Sequence, residues 1–133
     1  MNRRKSVVVV SVIMVVTLLA LSLPQQPGAK RNIIMKQDLS NFPAHEGVVA
    51  QVELAPGAQE PKHTHPGDIF GYVQEGTLSL SIEGKGTASV KPGEVFFVPA
   101  GKLHWGKNEG TTPIKILATF VVEKGKPLTS YAQ

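Results

Sequence analysis

Cysteine is absent from this 133-residue chain. Its absence excludes a disulfide scaffold, a thiolate-held metal, an iron–sulfur cluster and a cysteine nucleophile. Aromatic residues are scarce, 6% of the chain with one Trp, and no Lys/Arg cluster interleaves with them as a nucleic-acid surface would require. Charge is also sparse, 18% of residues against 41% hydrophobic, the reverse of a disordered composition. The formal net charge of +4 is concentrated at one end, where Arg3, Arg4 and Lys5 supply three of the positive charges. Beyond residue 23 the balance is 11 Lys and Arg against 10 Asp and Glu, or +1. The basic pI therefore reports the N-terminus, not affinity for nucleic acid. The length allows one domain and excludes a TIM barrel or a two-half dinucleotide fold.

One long apolar run is present, Val7 to Leu23, broken only by Ser11, Thr17 and Ser22 and stopped by Pro24. A basic triplet before such a run is the pattern of an export signal. Its 17 residues are slightly long for a signal core and slightly short for a full span of about 20. Ala20-Leu21-Ser22 places small residues for cleavage after Ser22; uncleaved, residues 7–23 anchor the chain in a membrane. Both outcomes put the remainder outside the cytoplasm, periplasmic or secreted, because positive flanks stay inside. Residues 24–32 (PQQPGAKRN) read as a linker, which leaves 33–133 as the folded domain.

Within that domain the dominant period is two, the signature of strands. Val48, Ala50, Val52 and Leu54 share one side of their segment. Leu78, Leu80 and Ile82 oppose Thr77, Ser79 and Ser81. Ile114, Ile116, Ala118, Phe120 and Val122 form a third stripe. Segment 95–98 (VFFV) is apolar throughout, as expected of a strand covered on both faces. Turn signals separate the runs, among them Pro56-Gly57, Pro66-Gly67, Pro92-Gly93 and Asn108-Glu109-Gly110. Many short strands at close spacing predict an all-β sandwich or barrel.

Three of the four histidines carry the chemistry. His63 and His65, spaced i, i+2, project from the same face of a strand about 6.6–7 Å apart. His104 lies in a second segment, after the Pro99-Ala100-Gly101 turn. Imidazole suits zinc, iron, copper, nickel and manganese. A lone His-x-His is a weak signal, but here its surroundings are patterned. The first segment reads Gly57-x5-His63-x-His65 and closes on Gly76. The second reads Gly93-x5-Pro99-x-Gly101-x2-His104-x3-Asn108.

Together these segments resemble the two motifs of the cupin superfamily, over roughly residues 45–123. The resemblance implies a small antiparallel jelly-roll barrel with a metal inside. It also implies a ligand set of two histidines and a glutamate from the first motif and one histidine from the second. His63, His65 and His104 fill three of those places. The glutamate position falls on Ile69, where this chain departs from the pattern. Asp68 points to the opposite face of a regular strand unless a β-bulge turns it inward, and Glu60 and Glu75 flank the segment. The expected centre is thus three neutral imidazoles holding a divalent transition metal (Fe, Zn, Mn or Ni). Without ligand charge the ion stays a strong Lewis acid with open positions.

Ile69 is expected to form an apolar pocket wall, with Phe70, Tyr72, Phe97 and Trp105 as further core or wall residues. Asn108 and Gly101 read as turn residues that support the His104 strand, and His45 reads as a surface residue. Two function classes follow. One is a metal-dependent enzyme on a small chelating molecule, dioxygenase-like or isomerase-like. The other is a non-enzymatic module of the cell envelope that binds or senses a small molecule or a metal. Barrels of this kind leave sheet edges to cover, so a homodimer is expected, with the N-terminal strand and residues 124–133 as candidate contacts.

Overall fold

The computed structural model describes residues 28–133. Residues 1–23, read as an export signal or anchor, and residues 24–27 of the stretch read as a linker lie outside the described residues. Ten strands follow: β1 (Ala29–Leu39), β2 (Phe42–Leu54), β3 (His63–Thr64), β4 (Gly67–Glu75), β5 (Leu78–Ile82), β6 (Gly86–Val90), β7 (Val95–Val98), β8 (His104–Lys107), β9 (Ile114–Glu123) and β10 (Ser130–Tyr131). They form two five-stranded antiparallel sheets, β1-β2-β9-β4-β7 and β10-β3-β8-β5-β6. The alternation predicted the all-β class, and the resemblance of the two motifs implied the jelly-roll barrel that these sheets form. Among the described residues no helix is long and apolar enough to cross a membrane.

The stripes read from the sequence become the core. Along β9, Ile114, Ile116, Ala118, Phe120 and Val122 are buried while the residues between them are half-buried. Val48, Ala50 and Leu54 of β2 and Leu78 and Leu80 of β5 meet them, with Val73, Val90 and Val98. Each fully buried aliphatic side chain contributes about 1.5–3 kcal/mol. Burial on one face only is what fixes the register of each strand, since a slip of one residue would turn the apolar set outward.

Three expectations need correction. Segment 95–98 is not covered on both faces. β7 is the edge strand beside β4, and Val95 and Phe97 are 74% and 41% exposed. An unbroken apolar run carries no alternation from which a free face could be read. Phe70 and Tyr72, opposite Phe97 and Val95 in the register, share that outer surface and wall nothing. Strand β1 begins at Ala29, inside the stretch read as a linker, and runs along β2 from Ala29–Leu54 to Leu39–Phe42. Nearly all of β1 is exposed, so its sequence has no burial pattern to display. The tail is already engaged within the chain: β10 pairs with β3, and the Ala132 N–H donates to the Lys62 carbonyl at 2.9 Å.

Asn108 does more than turn the chain. It is 1% exposed; its amide donates to the carbonyls of Leu54 (3.0 Å) and Thr112 (2.8 Å) and accepts from the Gly110 N–H (3.0 Å). It thus ties the end of β2 to the loop between β8 and β9. Removing it strands the buried Leu54 carbonyl and the part-buried Thr112 carbonyl, and a buried group left unpaired costs about 1–3 kcal/mol. Asn108→Ala is therefore expected to lower unfolding free energy by roughly 2–4 kcal/mol, measured as a reduced urea midpoint at unchanged slope.

Candidate metal centre

The histidines reach one place by different routes. The strand that the sequence suggests for residues 63–69 is broken at His65-Pro66, so His63 opens β3 in one sheet and Ile69 lies on β4 in the other. All three of His63, His65 and Ile69 still face the interior. His63 sits directly opposite His104 in the β3–β8 pairing. The ring centroids of His63 and His104 are 4.3 Å apart, those of His63 and His65 4.8 Å, and those of His65 and His104 5.1 Å. One candidate donor nitrogen from each ring lies within 4.8 Å of the others, and all three residues are buried.

Backbone carbonyls orient the rings. His63 Nδ1–H donates to Pro61 at 2.7 Å, His65 Nδ1–H to Leu128 at 2.6 Å and His104 Nδ1–H to Lys102 at 2.9 Å. A carbonyl only accepts, so each Nδ1 carries the proton and each Nε2 keeps its lone pair. This is how protein metal sites set the tautomer of their imidazole ligands. Burial also disfavours the imidazolium, which pushes all three histidines below their usual range. The carbonyl bonds oppose that effect without overcoming it. For His65 the value is pushed down to about 3, and the neighbouring histidines and Arg31 add to the burial effect. The donor set is therefore three neutral, pre-oriented imidazoles, which fits a divalent transition metal.

Short clamps hold the two histidine-bearing segments together. The Gly101 N–H donates to the His65 carbonyl (3.0 Å), and the Ala100 N–H donates to Asp68 Oδ1 (2.9 Å). Gly101 takes φ = +69° there, which explains glycine at the turn. Asp68 thus points away from the centre and fastens the β7–β8 turn to β4. Glu75 pairs with Lys115 at the surface (3.2 Å). His45 is half-buried on β2.

A cavity of about 640 Å³ opens above the histidines. Val52, Ile69, Leu78, Leu80, Ile116 and Phe120 form most of its apolar wall. Ile69 is thus a buried part of that wall, as expected. Two polar lining residues were not foreseen as part of a site. Glu60 accepts from the Gly106 N–H through Oε2 (3.0 Å), while its own N–H donates to the Gly106 carbonyl (2.8 Å). Burial pushes its carboxyl up, against the Gly106 hydrogen bond and the charges of His104 and Arg31. Arg31, on β1, donates from Nη1 to Thr129 Oγ1 at 2.7 Å. Neither residue lies in a position that the two motifs constrain by type, so the sequence offered no signal beyond proximity for Glu60 and none for Arg31.

With this geometry in place, comparison with known proteins identifies the class. The cupin domain (Cupin_2) family matches residues 50–122, and the chain belongs to that family. It is 36% identical over 107 residues to germin-like protein 1 of Brassica napus, covering 71% of this chain and 51% of that protein. It is 38% identical over 77 residues to germin-like protein subfamily 2 member 2 of Arabidopsis thaliana, covering 54% and 35%. The chain thus spans about a third to a half of the curated relatives it matches. Among solved structures it resembles an oxalate oxidase, at 26% identity and TM-score 0.63 over 84% of this chain and 57% of that one. A double-stranded β-helix protein from Klebsiella pneumoniae shares the fold at 19% identity, TM-score 0.64, over 84% and 90%.

The depressed histidine values set the pH response of the metal-free protein. Unfolded, a histidine titrates near 6.5; folded, His65 titrates near 3. Between those values the unfolded chain binds more protons, so stability falls as pH drops through that window and is complete above it. Urea midpoints of metal-free protein are expected to decline from pH 7 to pH 4. His65→Gln should flatten that decline.

Proposed function

We propose that this is an extracytoplasmic cupin that holds a divalent transition metal on His63, His65 and His104 and acts on a small chelating molecule seated in the cavity. The observation that carries the proposal is the fixed tautomer of three converging imidazoles. Three backbone carbonyls occupy the Nδ1 atoms and leave the Nε2 lone pairs as the available donors. A bound divalent metal supplies Lewis acidity and, if redox-active, an electron path to a bound substrate. The chain's own part is to seat that substrate. Ile69, Leu78, Phe120 and their neighbours exclude water, and the carbonyls of Pro61, Lys102 and Leu128 keep the rings from turning away.

Dioxygenase-like or isomerase-like chemistry is the finer form of the proposal. Similarity to germin-like proteins and to an oxalate oxidase supports the oxidative form. The export reading rests on residues 1–23. A second reading is favoured by the sparse acid–base equipment of the cavity. Its carboxylate, Glu60, has one oxygen turned to Gly106, which suits a module that binds without turnover. Oxygen consumption with diketones, catechols or hydroxy acids, with and without ferrous iron, separates the two.

The direct test is metal content of the full-length chain by mass spectrometry. Wild type is expected to carry close to one metal per chain and His104→Ala less than a tenth of that, with its far-ultraviolet spectrum unchanged. Equal metal in both proteins, or none in wild type after reconstitution, would sink the proposal.

A further inference from the structure

We propose that Arg31 reads an anionic group on the ligand, so that the cavity selects small carboxylates carrying a second oxygen donor for the histidine centre. The inference deepens the function proposed above and rests on it for the histidine end of the ligand. Arg31 is exposed, and register places it at the mouth of the cavity: on β1 it pairs with Val52 of β2, and both line the cavity. Its Nη1 donates to Thr129 Oγ1 at 2.7 Å, and that hydroxyl lies 3.4 Å from His65 Nδ1. One hydroxyl therefore separates the guanidinium from a ring of the centre. Thr129 holds one of the five N–H donors of the guanidinium, and the planar fork keeps others for a ligand.

The charge pattern points the same way. Lys36, Lys107, Lys115, Lys124 and Lys126 each meet a carboxylate within 4.0 Å. Among the described residues no carboxylate forms such a pair with Arg31. Glu60 lines the same cavity, but its Oε2 turns to the Gly106 N–H instead. Arg31 therefore puts a cation on the β1 side of the cavity mouth, near three neutral imidazoles. An arginine fork matches a planar carboxylate bidentately. The histidine centre needs a second oxygen of the same molecule. The apolar wall between them accommodates a short carbon skeleton and not a further charge. Hydroxy acids, oxo acids and dicarboxylates of a few carbons meet all three demands.

The test uses the full-length chain and two probes of equal size, glycolate and its neutral amide, glycolamide. Binding is followed by calorimetry on manganese-loaded protein and by NMR titration on metal-free protein, and manganese affinity is measured separately. Arg31→Gln is expected to weaken glycolate at least tenfold in both forms. It should leave glycolamide and manganese affinity within twofold of wild type, and Arg31→Lys should recover part of the loss. Wild-type glycolate affinity in Arg31→Gln overturns the proposal, as does an equal loss of glycolate and glycolamide. Absence of glycolate binding by wild type in both forms also overturns it. A wild type that takes up no manganese yet binds glycolate through Arg31 refutes the metal centre and leaves the anion site standing.

Discussion

Three backbone carbonyls, those of Pro61, Lys102 and Leu128, govern the histidine centre. Each accepts from an imidazole Nδ1 and so determines where the ring points and which nitrogen keeps a lone pair. An imidazole free to rotate would spend most of its time in other rotamers and would bind a cation from several directions. Here the ordering is done by the fold before any ion arrives, which is the condition for a tight and selective site. The carbonyls come from three separate parts of the chain: the β2–β3 loop, the turn before β8, and the tail before β10. The centre therefore depends on the whole barrel closing.

Closure is secured by a few polar contacts at the seams between segments. Glu60 satisfies both backbone groups of Gly106 and so sews the β2–β3 loop onto β8. Asp68 and the His65 carbonyl take the N–H groups of Ala100 and Gly101 and sew the β7–β8 turn onto β4. Asn108 does the same at the far end of β8. Between these seams lies an apolar core with no side-chain polar atom left buried and unpaired among the described residues. The cavity is the part of that core which remains unfilled, so its wall is largely apolar by origin and its polarity is confined to the rim, the histidines and Glu60.

The balance of charge in this cavity follows from its ligands. Three neutral histidines would leave a divalent ion with its full charge, and Arg31 adds positive potential at the opening. Burial pushes each histidine below its usual range, His65 to about 3, so protons compete less with a cation for these rings.

The sequence by itself determined the alternating strands of the core, the two motif segments and the three histidines. Period-two burial and the Gly, Pro and Asn punctuation are local signals, written residue by residue. It also determined that no carboxylate stands at position 69. What it could not carry was anything that depends on two distant segments meeting. β1 is exposed on nearly every residue and so shows no alternation, and the apolar run of β7 hides which face is open. The break between β3 and β4 sends neighbours in sequence to different sheets. Arg31 reaches the cavity mouth only because β1 pairs with β2 in one register, and Glu60 lines the cavity only because its loop packs against Gly106. Tertiary structure decided these placements, because pairing register and loop packing are properties of two chains of residues at once and leave no mark on either alone.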